Sequence, residues 1–228
     1  MNTFTIKSSN TRKAFTMIEL VFVIVVVGIL AAMALPRLNR DLKQEAADHI
    51  LSQIRYTQHM AINDNKHSYK DSTWQRRFWT IAFSTCDDGK AFYRVGSDTD
   101  GSGGGAGKFE KNEAMTDPYN GKPLWSEDNG DCDDPSVSEN IKIGKKYGIT
   151  VDNGVASGSG INGCDAKYIG FDHLGRPHIK FGTSNIPDYS TYMDRTCTFT
   201  YTLKNGESFQ ITILPESGFA FIENQMDS

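Results

Sequence analysis

Glu19 stands at the head of Leu20–Leu35 (LVFVIVVVGILAAMAL), sixteen residues without a polar side chain. A carboxylate in such company costs about 2.5–3.5 kcal/mol to bring into an apolar medium. A partner of opposite charge offsets that cost, so Glu19 points to charge pairing. Snorkelling to an interface is the plainer alternative. Four cysteines, Cys86, Cys132, Cys164 and Cys197, lie beyond the apolar run, and none forms a CxxC. In an oxidising compartment they can form two bridges, in any of three pairings. Cys164 precedes one expected strand and Cys197 starts another, which favours them as a pair and leaves Cys86 with Cys132. Four free thiols are the competing reading.

Between Asp87 and Glu139 there are thirteen Asp/Glu and five Lys/Arg. Within that run, Asp98-x-Asp100-x-Ser102-Gly103 matches the start of an EF-hand calcium loop. Phe109, however, sits where the bidentate Glu belongs. A solvated acidic loop is the favoured reading, with calcium as the alternative, and no metal ligands are assigned. His173 and His178 flank an expected turn without a third ligand, so they read as ordinary hairpin residues. No GxSxG, HExxH or P-loop occurs. The GSGGGAG run at 101–107 has no apolar strand before it and no helix after it, so it reads as a flexible loop rather than a phosphate cradle. No catalytic constellation emerges, and the chain is not expected to be an enzyme.

The elements that would position these groups follow from length and pattern. With 228 residues there is room for one domain and an appendage. A mean hydropathy of −0.45 excludes a polytopic membrane protein. A net charge of −4 disfavours nucleic acid as a partner. Lys7, Arg12 and Lys13 precede the apolar run with no acid among them, which keeps the N-terminus cytoplasmic. After Pro36, Leu38, Leu42, Ala46, Ala47, Ile50, Leu51, Ile54, Ala61 and Ile62 recur at helical spacing. One helix is therefore expected from about Phe15 to about Asn65, roughly 75 Å long, kinked near Pro36. Beyond it the pattern is β. The expected strands are Phe78–Phe83, Ala91–Val95, Tyr168–Asp172, His178–Phe181, Cys197–Leu203, Ser208–Leu214 and Phe219–Ile222. Asn205-Gly206 is the strongest hairpin signal. The fold class is α+β, with the helix stripe covering one face of an antiparallel sheet. Residues 96–140 are expected to form a long, flexible, acidic and Gly-rich surface loop.

The stretch Arg12-Lys13-Ala14-Phe15-Thr16-Met17-Ile18-Glu19-Leu20, followed by GILAAMALP, closely resembles the prepilin signal of type IV pilins and type II secretion pseudopilins. The resemblance covers about residues 12–40 and implies a pilin-like fold. It implies that a prepilin peptidase cuts between Ala14 and Phe15, and that Phe15 is N-methylated. Glu19 becomes the fifth mature residue, where the family places its assembly glutamate. Gly28 and Pro36 fall at the family's helix glycine and helix proline, the expected kink positions. Ala14 departs from the family's commoner Gly. Cleavage removes three cations, leaving 21 Lys+Arg against 28 Asp+Glu, a charge of −7. The freed Phe15 amine would meet the Glu19 of a neighbouring subunit.

The resemblance also implies an order along the chain. Residues 1–14 are a leader, 15–36 a transmembrane and assembly helix, 37–66 its amphipathic continuation, and 67–228 a periplasmic β-rich domain. The partners implied are other pilin or pseudopilin subunits and an inner-membrane assembly platform, with the chain crossing the bacterial inner membrane once. Leu51–Asn63, Ile169–Pro177 and Ile211–Phe219 resemble, more loosely, the helix end, hairpin and closing turn of H-type minor pseudopilins and FimT-like proteins. A minor pseudopilin of a type II secretion system is the expected function, with a minor type IV pilin for adhesion, motility or DNA uptake as the alternative. Major pseudopilins of the family bind calcium in a C-terminal loop, and Asp117-Pro118-Tyr119 resembles that region faintly.

Overall fold

The computed structural model describes residues 16–103, 107–128, 130–152, 155–156 and 167–225, without the side chains of 33–41, 151–152 and 155–156. The chain divides into two units, one ending at Asp41 and the other running from Leu42 to Ser228. Helix α1 (Met17–Asn63) contributes to both and is continuous through Gly28 and Pro36.

In the second unit, α1 buries the stripe Ala46, Ala47, Ile50, Leu51, Ile54 and Ala61. Thr57 fills the place where the period demands an apolar group. It is fully buried because its hydroxyl donates to Gln53 O at 2.7 Å, within the helix itself. Leu42 and Ile62, expected on this stripe, are instead 41% and 52% exposed.

The stripe packs against β structure in two antiparallel sheets rather than the single one expected. Strands β1 (Trp79–Thr85), β2 (Ala91–Gly96), β5 (Tyr168–Phe171) and β6 (Pro177–His178) form one, in the order β2-β1-β5-β6. Strands β3 (Ile149–Asp152), β4 (Val155–Ala156), β7 (Cys197–Leu203), β8 (Ser208–Ile213) and β9 (Ala220–Ile222) form the other, in the order β4-β3-β7-β8-β9. A bridge between Lys90 and Thr150 links their edges, and short helix α2 (Ile143–Tyr147) leads into β3.

Strand β7 alternates perfectly, burying Cys197, Phe199, Tyr201 and Leu203 and turning three threonines outward. That is the period-2 pattern of a sheet with one covered face. The turn to β8 uses Gly206 at φ 83°, whose N–H donates to Leu203 O at 2.9 Å. One apolar core gathers residues of α1, α2 and both sheets.

Residues 96–140 were expected to be a solvated loop, and the described part of them is packed. Phe109, Met115, Leu124, Cys132 and Val137 are all buried. Met115 N–H donates to Val95 O at 2.8 Å and Leu124 N–H to Met115 O at 2.7 Å, extending the β2 edge. The polar composition misled the reading because an acid such as Asp117 can be buried and held by specific donors.

Candidate functional site

Two places carry the chemistry that the sequence singled out. The first is the start of α1. Ala14 and Phe15 lie outside the described residues. Thr16 precedes the helix, and the Glu19 N–H donates to Thr16 O at 3.1 Å and to Thr16 Oγ1 at 3.3 Å. Glu19 is the acid of the first turn, where the helix dipole favours a negative charge. Among the described residues, its carboxylate has no ion-pair partner.

From Met17 to Leu30 every large apolar side chain is exposed, from 37% at Val26 to 84% at Met17. A Cβ placed on Gly28 meets nothing within 4 Å. Among the described residues, this half of the helix finds no apolar partner. Each such side chain contributes about 1.5–3 kcal/mol when it leaves water, so an apolar environment must come from outside. Among the described residues, no helix is long and apolar enough to cross a membrane. The sixteen-residue run would rise about 24 Å, short of a hydrocarbon core of about 30 Å.

The second place is the segment between β2 and α2. Cys86 and Cys132 are joined, with Cα atoms 5.6 Å apart. The bridge packs against Phe92 and ties the start of the β1–β2 turn to residue 132. Cys197 is not a free thiol, and Cys164 lies outside the described residues. Lys142 is almost fully buried, its ammonium 2.6 Å from Glu139, while Lys145 pairs with Asp133 at 2.8 Å.

Asp117 is 2% exposed and fully satisfied. Its Oδ1 accepts the Tyr119 N–H at 2.9 Å. Its Oδ2 accepts Asn140 at 2.8 Å, Asn120 at 3.2 Å and the Ser138 hydroxyl. It is a structural knot in which both oxygens are engaged. Asp98 is equally buried, yet its Oδ2 has no partner. Burial pushes its carboxyl up, the Gly103 and Gly101 N–H groups work against that, and the nearby charges of Glu113 and Asp100 add to the rise.

The histidines divide between different neighbours. His178 is buried, with Nδ1 3.0 Å from Thr191 Oγ1 and Nε2 3.7 Å from Asp172 Oδ2. The His173 ring lies 5.8 Å from that of His67. Burial works against the Asp172 carboxylate, but His178 and Arg176, with the Arg176 and Leu174 N–H groups, hold it well below the usual range.

Sequence reasoning missed two side chains of α1 that organise the far end of the domain. Gln58 Nε2 donates to Gly175 O at 2.9 Å and to Ser217 O at 2.7 Å. Arg55 donates to Ala220 O at 2.9 Å through Nη2. One helix face thus holds both the β5–β6 turn and the β8–β9 turn. Gly218 (φ 64°) fits there because a Cβ would come within 2.2 Å of Gly175 O. A polar residue facing the sheet within an apolar stripe was the available signal.

Residues 9–35 match the family described as the prokaryotic N-terminal methylation motif. No curated protein and no solved structure matches the chain. The matched motif supports a type IV pilin-like protein that assembles with other pilin subunits after processing by prepilin peptidase.

Proposed function

We propose that the chain is a minor pseudopilin of a type II secretion system, a structural subunit of a short periplasmic filament that helps export folded proteins. Residues 1–14 are its leader, cut between Ala14 and N-methylated Phe15. The apolar start of α1 anchors it in the inner membrane and then enters the filament, where Glu19 pairs with the Phe15 amine of a neighbour. The sixteen apolar residues continue the apolar stretch begun at Phe15, Met17 and Ile18. With Glu19 neutralised, the stretch reaches the length a bilayer requires.

The observation that carries the choice of subunit is the joint made by Gln58. Three segments resemble the H-type minor pseudopilins: the end of α1, the β5–β6 hairpin and the β8–β9 turn. Gln58 joins all three within one hydrogen-bonded cluster. The Cys86–Cys132 bridge supports an oxidising, exported location.

Sequencing the membrane-extracted protein tests the processing step, with N-methyl-Phe15 expected as the first residue. A terminus near Met33 or Leu35 would instead mean an ordinary signal peptide and overturn the reading. Deleting the gene tests the system served. Loss of secretion with pili intact supports the pseudopilin; loss of pilus function with secretion intact replaces it with the minor pilin.

A further inference from the structure

We propose that Asp98, Asp100 and Glu113 form a calcium site at the end of β2. One carboxylate oxygen from each residue lies within 4.8 Å of the others. Among the described residues, no Lys, Arg or His pairs with any of the three. Like charges this close oppose one another unless a proton or a cation intervenes.

The decisive atom is Asp98 Oδ2. The residue is 98% buried, its Oδ1 accepts the Gly103 N–H at 3.3 Å, and Oδ2 accepts nothing. A buried carboxylate oxygen without a donor is expensive and rare. Asp117, 19 residues on in the same segment and just as buried, shows what a purely structural carboxylate looks like here. Four donors saturate it. Asp98 has the burial but lacks a donor at Oδ2, and a cation supplies what that donor would.

The surroundings suit a hard cation with oxygen ligands. Asp100 is exposed, and its carboxylate accepts from Ser102, the N–H reaching Oδ1 at 2.8 Å. Glu113 Oε1 is occupied by the N–H groups of Thr99 and Asp100 and by the Thr99 hydroxyl. Its Oε2 accepts only the Glu110 N–H at 2.9 Å and keeps a lone pair. These bonds fix the Glu113 carboxylate beside the Asp98–Gly103 turn before any ion arrives. Gly103 lets the turn close: a Cβ there would come within 2.3 Å of Lys108 O and 3.2 Å of Asp98 Oδ2. Asp98, Asp100 and Gly103 keep the spacing of a calcium loop's opening, and Glu113 takes the role of the acid absent at Phe109. The exposed side at Asp100 leaves room for water ligands. Calcium tolerates such irregular, partly hydrated oxygen sites, whereas magnesium demands a tight octahedron.

The test is calorimetric titration of CaCl2 into the full-length chain in detergent, stripped with chelator, alongside thermal unfolding. One site with a dissociation constant of about 0.1–1 mM is expected, the range of extracellular calcium modules. MgCl2 should bind at least about tenfold more weakly. Asp98→Asn and Asp100→Asn should each weaken calcium binding by at least about tenfold. Both should fold as well as wild type in chelator, since each removes a repelling charge. Asp100 is exposed, so its variant carries the test even if the buried one misfolds. Absence of heat and of a melting shift at about 10 mM CaCl2 overturns the proposal. So does wild-type affinity in Asp100→Asn, or equal binding of the two metals. None of these outcomes bears on filament assembly, which stands or falls on Phe15 and Glu19.

Discussion

Replacing both Cys86 and Cys132 with serine removes a crosslink between residues 46 apart in sequence. Chain-entropy theory gives such a loop about 4 kcal/mol of stabilisation, acting through the unfolded state. Both cysteines are buried, at 3% and 8%, against Phe92. Serine in their place adds a packing and desolvation loss of about 1 kcal/mol. The domain's total stability is expected to be on the order of 5–15 kcal/mol, so the variant loses about a third or more of it. Urea unfolding of wild type and variant in non-reducing buffer, followed by tyrosine and tryptophan fluorescence, measures the difference. The midpoint should fall clearly, and that of wild type should fall as well in reducing buffer, which also opens the bond held by Cys197. Hydrogen exchange should show where the loss is felt. Protection should fall first between residues 87 and 131, where the Asp87 N–H donates to Gly130 O at 3.1 Å, and last in β7 and β8. An unchanged midpoint would refute the reasoning, because it would mean the bridge constrains nothing that the packing had not already fixed.

Glu19→Ala should leave leader cleavage intact and cut crosslinking to neighbouring pilin-like subunits at least about tenfold, since an unpaired amine in an apolar setting costs more than 1.4 kcal/mol; wild-type crosslinking would eliminate charge pairing. Burial lowers the His49 imidazole to about 4, with Lys146 adding to the effect and Asp117 and Glu45 opposing it. The unfolded state therefore binds the proton first, so stability is complete above about pH 6.5 and falls by about 3 kcal/mol as the pH drops to 4. His49→Gln should flatten that slope in pH-dependent urea titrations, and an unaltered slope would assign the acid loss to carboxylates alone. Gln58→Ala leaves Gly175 O and Ser217 O without their side-chain donor and should cost about 1–3 kcal/mol, a melting decrease of about 3–10 °C by calorimetry.

What the sequence made legible was local and periodic. The β7–β8 hairpin could be read because alternation and Asn205-Gly206 agree on one register, Thr202 opposite Ser208. The stripe Ala46–Ala61 could be read because a helix repeats every 3.6 residues, whatever it packs against. The described part of residues 96–140 could not, because its order comes from contacts between distant positions. Leu124 reaches Met115 and Val95 through single backbone hydrogen bonds, too few to leave a strand pattern, and Asp117 is paired with Asn140, 23 residues away. An aspartate saturated by amides and one facing solvent have the same letter. For the same reason, the acid that stands beside Asp98 and Asp100 was sought at 109 and lies at 113. The division into two sheets was hidden as well, since β3 is short and meets β7 through only two residue pairs.

The two stretches of α1 answer to different partners, and this separates two moments in the life of the molecule. The residues from Ala46 onward satisfy their apolar face inside the chain. Those from Met17 to Leu30 keep theirs unspent. Folding of the Leu42–Ser228 unit therefore does not wait for other subunits, and incorporation into a polymer does not require that unit to be rebuilt.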